Sequence, residues 1–198
     1  MKPRKAVAIV MLMMAGVLPA KDGGKAVGTR SGNFAPSNEL IDVDAFEKGA
    51  ARALQDRRKR RVTENRFIEM AKDEKTIVLD TRSRSNFSLL HVKGALHLNF
   101  SEITSESLSR VIPSKDTRVL IYCNNNFDNE PKEGPPAFAS KSPAMALNIP
   151  TFITLHAYGY ENIYELGPLL DVRKTKIPLA GSKLISVPRP VTAAEIQN

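Results

Sequence analysis

The only thiol in this chain of 198 residues, Cys123, is the side chain best suited to covalent chemistry. It follows residues 119–122, an apolar Val-Leu-Ile-Tyr run that predicts a buried strand of a parallel sheet. Ligands of open α/β sheets bind at the carboxyl ends of such strands, where main-chain N–H groups stabilise an anion and can lower the pKa of a thiol. The position predicts a nucleophile and, with equal weight, a small buried apolar residue, because free cysteines are commonly buried.

Three asparagines and a phenylalanine follow the thiol directly. Side-chain amides can hold a small anion without a full positive charge. We therefore predict four substrate-binding residues, Asn124, Asn125, Asn126 and Phe127. Asparagine is also favoured in turns, and loop formation explains the run equally well. Cysteine phosphatases with the Cys-x5-Arg pattern clamp phosphoryl oxygens with the arginine, and Asn129 occupies that position here, which argues against phosphatase or arsenate-reductase activity.

Metal, disulfide and cofactor chemistry have no motif in the sequence. One cysteine cannot form an internal disulfide, a CxxC redox pair or a four-cysteine zinc site. His97 and His156 have no partners at ligand spacing, so we predict no metal site. The dinucleotide and P-loop patterns, HExxH and GxSxG are missing from the sequence, and we predict no cofactor.

The strand before Cys123 belongs to a regular α/β pattern that must position it. Residues 77–79 predict a second compact apolar strand, closed by Asp80, and residues 162–166 predict a third. Short helical patterns separate these runs. Uninterrupted apolar strands separated by helices predict a mainly parallel sheet covered on both faces.

Three segments, in this order, resemble parts of the rhodanese family. Residues 77–82 together with residues 91–95 are similar to its N-terminal signature, and residues 119–123 to the strand that leads into its active-site cysteine. Residues 159–166 resemble the segment after its active-loop helix. The resemblance covers about residues 62–180.

The resemblance implies a rhodanese-like three-layer α/β sandwich with a central, mainly parallel five-stranded sheet flanked by helices. It also implies a thiosulfate sulfurtransferase activity. Cys123 would take sulfane sulfur from thiosulfate or a persulfide donor, hold it as a persulfide, and pass it to a thiol or cyanide. The implied partners are a small sulfur-containing anion and a thiol acceptor. The family motif further implies structural roles for Asp80, Arg82, His91 and Gly94.

An extended loop after the cysteine sets this chain apart from the family pattern. Residues 124–142 predict a loop of functional length, and a helix beginning at Asn148, with Pro150 in its first turn, follows it. No arginine occurs between Cys123 and Arg173. Two alternatives therefore stay open: a catalytically weak interaction module that binds a protein through this loop or the basic helix below, and a thiol redox sensor.

Both ends of the chain predict segments outside the family domain. Residues 1–20 combine a basic start, an apolar run and a small terminal residue, which is typical of a secretory signal peptide and predicts a periplasmic or secreted protein without a membrane span in its mature form. Residues 21–61 predict a linker and an N-terminal helical extension, residues 62–180 the rhodanese-like domain, and residues 181–198 a C-terminal tail.

Much of the net charge of +8 lies at the signal peptide and in residues 57–61, Arg-Arg-Lys-Arg-Arg. This basic run lacks interleaved aromatic residues for base stacking, so we predict a solvated helix end and no binding of nucleic acid.

Overall fold

The computed structural model describes residues 38–186. The predicted signal peptide, residues 21–37 of the predicted linker and residues 187–198 of the predicted tail lie outside the described residues. The chain divides after Glu39 into two units, and the helices and strands given below belong to the second unit.

Helices and strands alternate along most of the described chain. The helices are α1 (Val43–Arg57), α2 (Glu64–Ala71), α3 (Arg84–Leu89), α4 (Ser105–Val111) and α5 (Asn148–Ala157). The strands are β1 (Arg61–Val62), β2 (Thr76–Asp80), β3 (His91–Val92), β4 (Leu96–His97), β5 (Arg118–Tyr122), β6 (Phe127–Asp128), β7 (Ile163–Leu166), β8 (Leu170–Asp171) and β9 (Leu179–Ala180). Short 3-10 turns, including Asn124–Asn126 directly after the cysteine, link some of them.

Five of these strands form the central sheet, in the order β1-β7-β5-β2-β4. Every neighbouring pair is parallel, which confirms the predicted five-stranded α/β architecture. In the register, Asp80 lies beside Tyr122, and Ile121 lies beside Glu165. Two small pairings lie outside this sheet: β3 pairs antiparallel with β9, and β6 pairs parallel with β8.

A separate apolar cluster covers each face of the sheet. On β5, Val119 and Ile121 belong to one cluster and Leu120 and Tyr122 to the other, because successive side chains of a strand point to opposite faces. The first cluster is completed by helix residues Ala53 of α1, Leu108 of α4 and Phe152 of α5. The second includes Phe67 and Met70 of α2. In this three-layer packing, Cys123 directly follows β5 and therefore lies at the carboxyl end of the middle strand of the sheet.

Polar caps determine where several helices begin. The carboxylate of Asp42 accepts a hydrogen bond from the Ala45 N–H at 2.8 Å and caps α1. The hydroxyl of Thr63 does the same for α2 through the Arg66 N–H. The predicted start of α5 at Asn148, with Pro150 in the first turn, is confirmed, because proline needs no N–H partner there.

The loop after Cys123 is packed into the domain. Phe127, Ala137 and Phe138 are buried in the cluster that also contains Tyr122. The carboxylate of Glu130 accepts hydrogen bonds from the main-chain N–H groups of Ala137 and Phe138, each at 2.8 Å. Its buried partner Lys183 donates from Nζ to Glu130 Oε2 at 2.8 Å, which ties the loop to the start of the tail.

The basic run at the end of α1, residues 57–61, is only partly exposed to solvent. Arg57 and Arg61 form ion pairs with Glu165, whose side chain is 2% exposed. The prediction of a solvated helix end was therefore wrong at Arg57, whose side chain is 21% exposed because a buried carboxylate on β7 draws its guanidinium group to the sheet, whereas Arg61 pairs with the same carboxylate and stays 52% exposed.

Within residues 38–186, no helix combines the length and the apolar character that a membrane span requires.

Candidate functional site

Cys123 lies at the carboxyl end of β5 and is 1% exposed. Three main-chain N–H groups, those of Asn125, Leu147 and Asn148, approach its sulfur as hydrogen-bond donors. The first comes from the 3-10 turn after the cysteine, and the other two come from the N-terminus of α5. The sulfur is therefore surrounded by the positive ends of several peptide dipoles, as an anion site requires.

Burial and these dipoles have opposite effects on the pKa of the Cys123 thiol. Desolvation raises the pKa of the Cys123 thiol, the three N–H groups lower it, and the negative charge of Glu165 adds to the rise. The net pKa is above the usual value, so the thiol form predominates at neutral pH. The sequence suggested that dipoles at this edge lower the thiol pKa. They are present, but desolvation exceeds their effect.

The side chain of Asn126 holds the site together. Its Oδ1 accepts hydrogen bonds from the Cys123 N–H at 2.9 Å and from Asn148 Nδ2 at 3.0 Å. Its Nδ2 donates to the carbonyls of Leu166 at 2.8 Å and Pro168 at 3.1 Å. One amide thus joins the ends of β5 and β7 to the start of α5, and its hydrogen-bonding groups are engaged within the protein.

The other predicted substrate-binding residues have different surroundings. The side chain of Asn125 exchanges hydrogen bonds with the main chain of Lys141, at 2.7 and 3.0 Å, and fastens the far end of the loop. Phe127 is fully buried, with its ring 4.5 Å from that of Phe138. Asn124 is 4% exposed, and its Oδ1 has no hydrogen-bond partner among the described residues. Of the four side chains, only that of Asn124 has a buried polar atom without a hydrogen-bond partner in the described structure.

Leu147 and Asn148 are site residues that the sequence did not reveal. The start of a helix at Asn148 is readable from the sequence, but its approach to Cys123 is not. The long loop hides this contact, because nothing in its composition shows that its two ends meet.

Asp80 and Arg82 form a buried ion pair away from the sulfur. Arg82 Nη2 lies 2.6 Å from Asp80 Oδ2, and Tyr122 donates its hydroxyl hydrogen bond to the same oxygen. Arg82 also donates to the carbonyls of Ala137 at 2.9 Å and Leu90 at 2.8 Å. These contacts support the structural role that the family motif implies, and they extend it, because Arg82 also anchors the long loop.

The remaining motif residues shape the chain near α3. His91 Nδ1 lies 2.6 Å from the Phe87 carbonyl, and the His91 ring stacks on the Phe87 ring at 3.9 Å. Gly94 has a φ of 84°, a left-handed conformation that suits glycine in a tight turn. Neither residue has a hydrogen bond to Cys123 in the described structure.

No group of three or more His, Cys, Asp or Glu side chains within residues 38–186 is arranged to hold a metal ion.

The chain is similar to several solved structures. A crystal structure of the BH2092 protein from Bacillus halodurans is 17% identical, covers 69% of this chain and 88% of its own, and gives a TM-score of 0.46. A solution structure of the rhodanese-like domain of the Alr3790 protein from Anabaena is 16% identical, with coverages of 66% and 86% and a TM-score of 0.45. A rhodanese with anions from E. coli is 18% identical, with coverages of 54% and 98% and a TM-score of 0.36.

Comparison with curated proteins gives no match. The family model for the rhodanese-like domain matches residues 63–167, more than half of the chain. With the parallel five-stranded sheet and the loop that returns to its edge, this match shows that the chain belongs to the rhodanese-like domain family.

Proposed function

We propose that this protein is a sulfurtransferase that moves sulfane sulfur from thiosulfate or a persulfide donor to a thiol or cyanide acceptor through a persulfide on Cys123. The observation that carries the proposal is the approach of three main-chain N–H groups to the Cys123 sulfur at the carboxyl edge of the sheet. A hydrocarbon cage without donors would not suit an anionic adduct. The three N–H groups suit an anionic adduct, because fixed peptide dipoles stabilise negative charge without having to reorient.

Two displacements make up the reaction. With thiosulfate, the Cys123 thiolate attacks the outer sulfur, a new S–S bond forms, and the S–S bond of thiosulfate breaks as sulfite leaves with the electron pair. The acceptor then attacks the terminal sulfur of the persulfide, and the Cys123 thiolate leaves. The N–H groups of Asn125, Leu147 and Asn148 stabilise the sulfur charge in both steps.

Intact-protein mass spectrometry tests the proposal. The purified domain is incubated with thiosulfate or with cysteine hydropersulfide at pH 7 and pH 9, and the Cys123→Ser variant is the control. We expect a one-sulfur mass gain in the wild type, faster at pH 9, and none in the variant. Absence of a gain that depends on Cys123 with both donors would falsify the enzymatic proposal.

A non-catalytic interaction module is the second candidate. It is favoured by the burial of the thiol, 1% exposed, and by its raised pKa, because both reduce the supply of accessible thiolate. In this candidate the loop of residues 124–142 presents a surface to a protein partner. Failure of sulfur loading at pH 9, together with a melting temperature that is the same in the wild type and Cys123→Ser, distinguishes this candidate from a sulfurtransferase.

Export is a further part of the proposal. The basic start and apolar run of residues 1–20 support a periplasmic or secreted location. Expression of the full chain in a bacterium, followed by fractionation and N-terminal sequencing, tests it. We expect a processed protein outside the cytoplasm that begins near Lys21, and an unprocessed cytoplasmic product contradicts this expectation.

A further inference from the structure

Glu165 is a buried acidic side chain that the proposed reaction does not use. It lies on β7, and its side chain is 2% exposed, so its carboxylate needs a counter-charge to stay ionised. Arg57 donates two hydrogen bonds to it, from Nε at 2.6 Å and from Nη2 at 2.7 Å. Arg61 approaches the same carboxylate at 3.2 Å, but its side chain is half exposed. Arg57 is therefore the principal counter-charge of this carboxylate.

The sheet places Glu165 and Cys123 on the same face. Glu165 lies beside Ile121 in the parallel register, and neighbours in such a pair point to the same side of the sheet. Cys123 comes two residues after Ile121 and keeps an extended backbone, with φ −144° and ψ −175°, so its side chain points to that side as well. One strand spacing and a rise of two residues put the Cα atoms of Glu165 and Cys123 about 8 Å apart. At this distance the carboxylate charge opposes a negative charge on the sulfur.

Two helices cover this face, and each contributes to one member of the pair. The N-terminus of α5 directs main-chain N–H groups at the Cys123 sulfur, and the last residue of α1 is Arg57. The one titratable side chain of α5 is His156, in its last turn, which lies 3.3 Å from Asp56 of α1. In the described chain, the cations paired with Glu165 are those of α1 and β1.

The helix that supplies this counter-charge precedes the family domain. The match to the rhodanese-like family begins at residue 63, whereas α1 ends at Arg57. Glu165 and Cys123 both lie within the matched residues. An extension in front of the domain therefore balances a charge beside the candidate nucleophile.

We propose that Arg57 is a positioning residue for the chemistry of Cys123: it holds Glu165 in an ion pair and so offsets the carboxylate charge that opposes a negative sulfur. This inference deepens the proposed sulfurtransferase function, and its consequence for sulfur transfer rests on that function. The attacking thiolate and the persulfide anion both carry negative charge, so one counter-charge favours both forms of Cys123. The side-chain hydrogen bonds of Arg57 go to Glu165, so Arg57 acts through this carboxylate.

The pH dependence of Cys123 alkylation tests the inference in the purified protein. Modification by iodoacetamide is followed by intact mass from pH 6 to pH 10. The variants are Arg57→Met, Arg57→Lys and the double variant that combines Arg57→Met with Glu165→Gln. The matched control is Arg58→Met, which removes the same charge from the next residue, an exposed one. Circular dichroism and urea unfolding establish that each variant is folded under the conditions of the assay.

We expect the midpoint of the alkylation profile in Arg57→Met to rise by about half a pH unit, which slows alkylation at pH 8 about threefold. Arg57→Lys should lie closer to the wild type, because it keeps the charge. The double variant should alkylate at the wild-type rate or faster, because without the carboxylate charge no counter-charge is needed. A merely structural role of the pair predicts no such recovery, since the double variant lacks both partners. The control should keep the wild-type profile.

An unchanged profile in Arg57→Met, or a slower rate that Glu165→Gln does not restore, overturns the inference. Single-turnover sulfur loading at pH 8, with thiosulfate and with cysteine hydropersulfide, separates this result from the proposed function. Loading that slows about threefold in Arg57→Met, in parallel with alkylation, supports both proposals. Loading at the wild-type rate while alkylation slows overturns the role of Arg57 in sulfur transfer. If neither donor loads the wild type, the sulfurtransferase proposal fails, and the alkylation profiles still decide whether Arg57 acts on the thiolate.

Discussion

Arg57 and Glu165 form a bidentate ion pair, with Arg57 Nε 2.6 Å from Glu165 Oε2 and Nη2 2.7 Å from Oε1. Arg57 is the last residue of α1, and Glu165 lies on β7, beside the strand that leads to Cys123. The pair therefore fastens the N-terminal extension to the central sheet. It also offsets a buried negative charge that raises the pKa of the catalytic candidate Cys123.

We predict that Arg57→Met lowers the free energy of unfolding by about 2 kcal/mol, less than for a fully buried pair, because Arg61 still reaches Glu165. Burial raises the pKa of Glu165, so at pH values between its unfolded and its folded pKa the folded protein keeps a proton on this carboxyl that the unfolded chain has released. Stability from this group therefore falls as pH rises above about 4.3, through the raised value.

Urea unfolding at pH 5 and pH 8 measures this effect. The loss of unfolding free energy in Arg57→Met should be larger at pH 8 than at pH 5, because at pH 8 the Glu165 carboxyl must ionise with one arginine partner fewer. Arg58→Met, an exposed change in the same basic run, is the control and should stay within about 0.5 kcal/mol of wild type. An equal loss in both variants would show that the Glu165 pair contributes nothing specific.

The raised pKa of the Cys123 thiol predicts slow alkylation at neutral pH. Desolvation is the main cause, and the reactive species is the thiolate. The rate of iodoacetamide modification should still be rising with pH above about 8.5, the ordinary value for a cysteine. Because the chain has one cysteine, intact mass reports this site alone. A plateau below pH 8 contradicts the prediction.

Asn126→Ala should destabilise the protein by about 3 kcal/mol, because it leaves several buried groups unpaired, among them the Cys123 N–H and the Leu166 carbonyl. Asn125→Ala is the matched control. Its amide joins exposed loop segments, and we expect a loss of about 1 kcal/mol or less. Thermal and urea unfolding compare the two variants. Similar losses would refute the special role of Asn126.

Arg82→Lys should cost about 3 kcal/mol, although the charge is kept. A lysine cannot reproduce the fork that binds Asp80 while also reaching the carbonyls of Leu90 and Ala137. Arg84→Lys, on the exposed start of α3, is the control and should be nearly neutral. We also expect faster proteolytic cleavage within residues 124–142 in Arg82→Lys, since Arg82 anchors this loop. Loop cleavage at the wild-type rate would show that other contacts suffice to hold it.

Local sequence was enough to predict a mainly parallel sheet covered by helices on both faces, whereas the number of strands was implied by the resemblance to the rhodanese family. Residues 77–79 and 119–122 form sheet strands because their side chains are mainly apolar and are more stable away from water. The helices between such parallel strands must then cover the faces of the sheet. Pro150 identified the first turn of α5 for a local reason, the missing N–H of proline. Both inferences need only neighbouring residues.

The surroundings of the thiol depended on contacts between distant residues. The sequence by itself determined that a lone cysteine stands at the carboxyl edge of the sheet, because strand and loop composition is local information. Only the tertiary structure decided that Leu147 and Asn148 return to its sulfur, that Glu165 binds Arg57, and that burial leaves the thiol pKa raised. The physical reason is that desolvation and charge interactions depend on distances in space, which spacing along a chain does not specify.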